Sequence, residues 1–169
     1  MDQDRITEFI NKSDITTAVN RYFRALDEKN FDAQHFASIF TPQAHVTRPN
    51  GASMIGPEEI CASHLKSFTR FEASQHFVAG HEIALDGSTA NVRANLIAMH
   101  VWQGSHTDAN KLDNFFLAGG VIHATLMQSD GQWKISQMRN AVLWRAGGYR
   151  DMMQTGALTK GSAAAVPNP

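Results

Sequence analysis

At 169 residues, 43% of them hydrophobic, the chain is long enough for one domain with a real core, and its composition is that of an ordinary globular protein. A formal net charge of −1 with no Lys/Arg block excludes a sequence-independent nucleic-acid footprint, and no apolar run approaches the roughly 18 residues of a membrane span. Cys61 stands alone, so no intramolecular disulfide forms; with the acidic opening Met1-Asp2-Gln3-Asp4, which lacks an apolar signal region, this makes a cytoplasmic protein the expectation.

The elements are expected as follows. Arg5 to Asn11 predicts a short turn of helix. Ser13 or Asp14 then caps a main helix whose apolar positions Ile15, Val19, Tyr22, Phe23 and Leu26 follow the i, i+4, i+7 pattern of one buried face. Asp27 closes that helix about 100° round from the middle of the apolar stripe, at its seam. Glu28-Lys29-Asn30 is a polar break. A second helix runs from Phe31 to Phe40, ended by Thr41-Pro42 because the residue before proline leaves helical space. Ala44 to Thr47 reads as a short strand and Pro49-Asn50-Gly51 as a turn. Gly56-Pro57-Glu58-Glu59 opens a third helix, with Ile60, His64 or Leu65, and Phe68 as its core face.

From Gln75 the period changes to two. Gln75–Leu85 is one strand, kinked at Gly80, and Asp86-Gly87 is a hairpin signal. Thr89–Trp102 returns, with Ala90, Val92, Ala94, Leu96, Ala98, His100 and Trp102 on one face. A polar loop spans Gln103–Asn114. Phe115–Met127 and Trp133–Trp144 are the last strands, joined at Asp130-Gly131. Residues 1–150 form a single domain and 151–169 a flexible tail. Helices followed by long antiparallel strands make the fold class α+β: a cone-shaped, curved, mixed but mostly antiparallel sheet wrapped around N-terminal helices, enclosing an apolar pocket.

Candidate chemistry centres on histidine. The small residues Ala90, Ala94 and Ala98 leave room on the face that His100 shares, and His76 opens the preceding strand. Taken alone, each reads first as a hydrogen-bonded core histidine. Eight histidines (His35, His45, His64, His76, His81, His100, His106 and His123) show no close helical pair, and one cysteine excludes a thiolate cluster. A facial triad of His76, His100 and Asp27 is the metal alternative, and the expectation is no metal. There is no Gly-rich phosphate loop and no GxSxG elbow.

Tyr22-Phe23-Arg24-Ala25-Leu26-Asp27-Glu28-Lys29-Asn30-Phe31-Asp32, Phe40-Thr41-Pro42, Gln75-His76-Phe77-Val78-Ala79-Gly80 and Asp130-Gly131-Gln132-Trp133-Lys134-Ile135 together resemble the SnoaL-like branch of the nuclear-transport-factor-two-like superfamily. Within it the chain looks most like the scytalone dehydratase type, over Ile15 to Gly147. The resemblance implies a cone with a deep hydrophobic pocket. It also implies a helix-end Asp, matched by Asp27, and two pocket histidines, matched by His76 and His100. Bile-acid dehydratases of the superfamily place a Tyr five residues before the Asp, as Tyr22 is here, and dehydrochlorinases use an Asp–His dyad. Two departures stand out. The scytalone enzymes carry a Ser and an Asn where this chain has Val121-Ile122-His123, and Leu26 replaces their pocket tyrosine, so scytalone itself is not the expected substrate.

The resemblance thus implies a cofactor-independent lyase, a dehydratase acting on a hydrophobic cyclic or polyketide-like hydroxy-carbonyl compound. His76 is assigned as acid/base, Asp27 as its orienting partner, His100 as a second acid or water-positioning group and Tyr22 as carbonyl polariser. His123, Arg48 and Asn95 are further pocket candidates, and Phe23, Phe40, Phe77, Leu96, Ile122 and Trp144 are the expected apolar wall for an aromatic or polycyclic substrate. The alternatives are a polyketide cyclase, a ketosteroid-type isomerase, a small-molecule-binding protein, and a subunit like the small subunit of ring-hydroxylating dioxygenases. No nucleic-acid or membrane partner is expected. A homodimer or homotrimer built on the outer sheet face at Ile97, Met99 and Val101 is.

Overall fold

The computed structural model describes residues 3–103 and 114–148. The tail expected over 151–169 and nearly all of the expected loop at 103–114 lie outside these residues.

Helix α1 runs unbroken from Gln3 to Asp27. The separate N-terminal turn does not occur, and Ser13 and Asp14 lie inside the helix and do not cap it. Nothing between Arg5 and Asp14 interrupts helical hydrogen bonding: the segment has neither Gly nor Pro, and Lys12 pairs with Glu8 one turn earlier at 2.6 Å. Only the C-terminal half buries a face, through Ile15, Ala18, Val19, Tyr22, Phe23, Ala25 and Leu26, while Phe9 and Ile10 remain exposed. The helix stops in a Schellman arrangement. Asn30 N–H donates to Ala25 O at 2.9 Å and Lys29 N–H to Leu26 O at 3.3 Å, with Lys29 in the left-handed region at φ 52°. The Lys29 ammonium then donates to the carbonyls of Phe71 (2.6 Å) and Glu72 (3.0 Å), tying the end of α1 to the strand that carries His76.

Helix α2 is shorter than expected, Ala33–Ile39, because Asp32 caps it by accepting the His35 N–H at 2.7 Å. Strand β1 (Phe40–Thr47) follows at once. A three-residue strand β2 (Ser53–Ile55), not foreseen in the sequence, pairs back onto it. Helix α3 (Pro57–Phe68) begins at its proline and buries Ile60, Cys61, His64 and Phe68; Leu65 faces solvent. The four long strands are β3 (Phe71–Asp86), β4 (Thr89–Trp102), β5 (Phe115–Ser129) and β6 (Gln132–Gly147).

The sheet order is β2-β1-β6-β5-β4-β3. Only the β1–β6 pair is parallel, so the sheet is mixed and mostly antiparallel, as expected. The expected kink at Gly80 is a bulge: the β3–β4 pairing shifts between Ala79 and Glu82, and Gly80 has φ +65°. The helices cover one face of the curved, unclosed sheet. Against them lie Ala90, Val92, Ala94, Ala98, His100 and Trp102 of β4, with Phe116, Ile122, Ala124 and Leu126 of β5. Fully buried Ile15, Phe36, Phe40, Ile122 and Ile135 each contribute about 1.5–3 kcal/mol by leaving water. On the opposite face Phe77, Ile97 and Trp144 are exposed. Phe77 pairs with Ile97, Ile97 with Gly119 and Gly119 with Trp144, making one row across four strands.

Candidate active site

The alanines of β4 were expected to leave room, and a cavity of about 180 Å³ lies between the helices and the sheet. For scale, an apolar cavity of ~150 Å³ suffices to bind benzene. Its lining is mainly apolar: Phe23 and Leu26 of α1, Phe68 of α3, Phe71, then Leu96, Ala98 and Phe116 of the sheet. Into this lining project Tyr22, Arg48, His64, Ser67, His76, His100 and Asn140.

Asp27 and His76 meet. His76 Nδ1 lies 2.5 Å from Asp27 Oδ1, and the His76 backbone N–H donates to Asp27 Oδ2 at 2.9 Å. Both carboxylate oxygens are therefore engaged by one residue, which fixes backbone and ring together. A carboxylate only accepts, so Nδ1 carries a proton, and in the neutral ring Nε2 is the nitrogen with the free lone pair. The His76 side chain is 5% exposed and that of Asp27 24%: the imidazole is sheltered while the carboxylate reaches the edge of solvent. Phe23 and Phe68 flank the His76 ring, with centroids at 5.3 and 6.1 Å.

His100 lies edge-on to His76, with centroids 5.3 Å apart at 89°. It stacks on Phe116 at 4.3 Å and contacts Phe71 at 4.6 Å. Burial, and secondarily the neighbouring His76, push its pKa down to about 3, so His100 is neutral near pH 7. A neutral ring can still donate one N–H or position a water, the roles expected of it. Its buried Nδ1 has no hydrogen-bond partner among the described residues.

Tyr22 also reads differently in the structure. Its hydroxyl lies 2.7 Å from His64 Nε2, while His64 Nδ1 lies 2.7 Å from the Ile60 carbonyl. That carbonyl can only accept, so Nδ1 holds the proton and Nε2 accepts from Tyr22. Burial pushes His64 down to about 3 and raises the Tyr22 phenol well above its ordinary value, so both stay neutral. With its proton committed to His64, Tyr22 turns lone pairs and no donor toward the cavity, contrary to the polarising role expected of it. His64 itself was missed as a site residue. Its spacing from Ile60 and Phe68, four residues either way on the α3 stripe, was the available signal.

Of the expected substrate contacts, Arg48 and Leu96 line the cavity. Phe40 and Ile122 are buried behind the wall as core; Phe40 meets Tyr22 edge-on at 5.3 Å. Phe77, Trp144, Asn95 and His123 lie on the outer face, since strand neighbours of inward residues point outward. Trp144 covers Gly119 there, where an added Cβ would come within 2.1 Å of the indole. His123 sits in register between Arg93 and Arg139, and burial together with these two cations lowers its pKa. Among the described residues no three His, Cys, Asp or Glu side chains converge to hold a metal ion, so the Asp27–His76–His100 facial triad does not assemble.

A model of the SnoaL-like domain family matches residues 8–139. No curated protein matches the chain in sequence. Among solved structures, the Kfla4162 protein of Kribbella flavida is similar at TM-score 0.73 and 19% identity, covering 82% of this chain and 95% of that one. A protein provisionally named scytalone dehydratase, from Novosphingobium aromaticivorans, gives TM-score 0.73 at 18% identity, covering 85% and 91%. A type 2 hexachlorocyclohexane dehydrochlorinase, LinA, gives 0.71 at 14%, covering 84% and 91%. At these identities the likeness is one of fold: the nuclear-transport-factor-two-like cone.

Proposed function

Starting from the chain's membership of the SnoaL-like domain family, we propose that it is a lyase of the dehydratase type, acting by acid–base chemistry on an apolar cyclic hydroxy-carbonyl compound. The observation that carries this reading is the doubly anchored Asp27–His76 pair, whose sheltered imidazole lines an apolar cavity.

In this reading His76 Nε2 takes the proton α to the substrate carbonyl, and the electron pair moves onto the carbonyl oxygen. Asp27 stabilises the imidazolium that forms. When the enolate collapses, the bond to the β-hydroxyl breaks. The leaving group takes the proton back from His76 and departs as water, leaving a conjugated enone. His100, neutral and held between Phe71 and Phe116, donates or accepts one hydrogen bond to the leaving oxygen but supplies no charge. The aromatic lining excludes water, so the developing charge is felt at short range and low dielectric. The same proton abstraction would serve an isomerase or a cyclase; what selects dehydration is a leaving group β to the carbonyl.

The test is incubation of the protein with cyclic β-hydroxyketones in deuterated water. Deuterium uptake α to the carbonyl and enone formation are expected with the wild-type protein and absent with His76→Ala. Exchange at the uncatalysed rate across the panel would refute the reading.

A further inference from the structure

Arg48 lines the cavity and has no part in the proton-transfer chemistry. It follows β1 in a tight turn that pins its backbone: its N–H donates to Ala52 O and its carbonyl accepts from Gly51 N–H, both at 2.9 Å. The side chain enters the cavity wall and Nη1 donates to Ser67 Oγ at 2.6 Å, while Ser67 in turn donates to Ser63 O at 3.0 Å. Nη2 is buried and has no hydrogen-bond partner among the described residues. None of the ion pairs among the described residues involves Arg48. Its cavity neighbours Tyr22, His64 and His100 are all neutral, and burial works against the guanidinium charge. A sheltered cation without a counter-charge is costly to keep, and an arriving anion offsets that cost.

We infer that the cavity takes ligands bearing a carboxylate on an apolar ring, with Arg48 Nη2 donating to the carboxylate oxygen while the ring lies among Phe68, Phe71 and Phe116. This deepens the reading above and rests on it for taking the cavity as the substrate site. It makes Arg48 a specificity-determining residue, placing the anionic end of the ligand on the β1–α3 side of the cavity and leaving the ring to reach toward His76. A guanidinium donates planar, charge-assisted hydrogen bonds that a neutral amide or ester oxygen accepts far less well.

The probe is benzoate against its uncharged isostere benzamide, titrated by NMR into the wild-type protein, Arg48→Met and Arg48→Lys. Benzoate should bind the wild-type protein roughly ten- to a hundredfold more tightly than benzamide. Arg48→Met should erase the difference, and Arg48→Lys should restore part of it in a protein of near-native melting temperature. Equal binding of the two probes to the wild-type protein, or a preference that survives in Arg48→Met, would overturn the inference; should Arg48→Met not fold, the wild-type comparison and Arg48→Lys still decide. Asp27→Asn should keep the benzoate preference while losing proton transfer, so the carboxylate site and the lyase reading fail separately.

Discussion

Replacing Asp27 by Asn changes one atom and makes a contradictory demand on His76. In the native arrangement the carboxylate accepts twice from one residue, from Nδ1 at 2.5 Å and from the backbone N–H at 2.9 Å. An amide accepts once and donates once. If its oxygen faces the backbone N–H, its NH₂ faces Nδ1, and the ring proton must move to Nε2, the nitrogen that is to act as base. If its oxygen faces Nδ1, its NH₂ opposes the backbone N–H and β3 must shift. The first outcome resembles the wrong-tautomer state that costs a hydrolase triad roughly ten-thousandfold in kcat, equivalent to ~5 kcal/mol of barrier. The stability cost should be much smaller. One hydrogen bond to a charged group is worth about 1.5–3 kcal/mol, and the partial exposure of Asp27 puts it near the bottom of that range. For a chain of this size that lowers Tm by only about 2–6 °C. Steady-state kinetics beside a melting curve separates the two effects. Activity within tenfold of wild type in a protein that melts normally would refute the dyad.

Other consequences follow from the same contacts. Tyr22→Phe removes the donor to His64 Nε2 and strands a buried acceptor, so urea denaturation should show a loss of about 1–3 kcal/mol, with kcat falling far less than in Asp27→Asn. A collapse of kcat at unchanged stability would instead return Tyr22 to the polarising role. His64 and His100 have folded pKa values of about 3 against an ordinary value near 6.5, so the unfolded chain binds more protons between those limits. Their contribution is complete above about pH 6.5 and is lost as pH falls toward 3; His100→Phe should flatten the fall in ΔG over that window, and an unchanged slope would count against a buried neutral His100. At Gly120 an added Cβ would sit 2.0 Å from the Ala141 carbonyl oxygen in the paired strand, whereas at Gly119 it would meet the half-exposed Trp144 ring. Gly120→Ala should therefore cost on the order of 3 kcal/mol in chemical denaturation and Gly119→Ala clearly less, and the reverse order would contradict the strand register.

How far the sequence was legible depended on whether a local signal was also a global one. Strand β4 was read to the residue, because small and apolar residues alternate along it between a hairpin turn and a polar loop, and the same alternation put His100 inward. Asp27 was legible as the carboxylate at the helix seam, while its partnership with His76, on the strand that carries the Gln-His-Phe run, was implied by the family resemblance. The start of α1 was not, since residues 5–14 carry helix propensity without burial and nothing local says whether such a segment joins the next helix. Strand β2 is three residues long and exists only as a partner of β1, so no periodicity could reveal it. The errors in the pocket wall have another source. Phe77, Asn95 and His123 each neighbour an inward residue, and period two sends all three outward; aromatic and polar character was weighed above parity. Trp144 is subtler, because the β5–β6 pairing shifts between Gly119 and Gly120 and changes the parity of the last turn of strand. The Tyr22–His64 bond joins residues 42 apart on two helices, and only the tertiary fold brings them together.

Which nitrogen of His76 carries the proton decides whether this ring can act as the base. NMR of protein labelled with nitrogen isotope in its histidines reads this directly near neutral pH. The geometry predicts that neutral His76 is protonated at Nδ1, with that proton strongly downfield from its bond to Asp27, and unprotonated at Nε2; Asp27→Asn should reverse the tautomer. A wild-type His76 protonated at Nε2, with no downfield proton, would contradict the proposal that this ring is the base of the cavity.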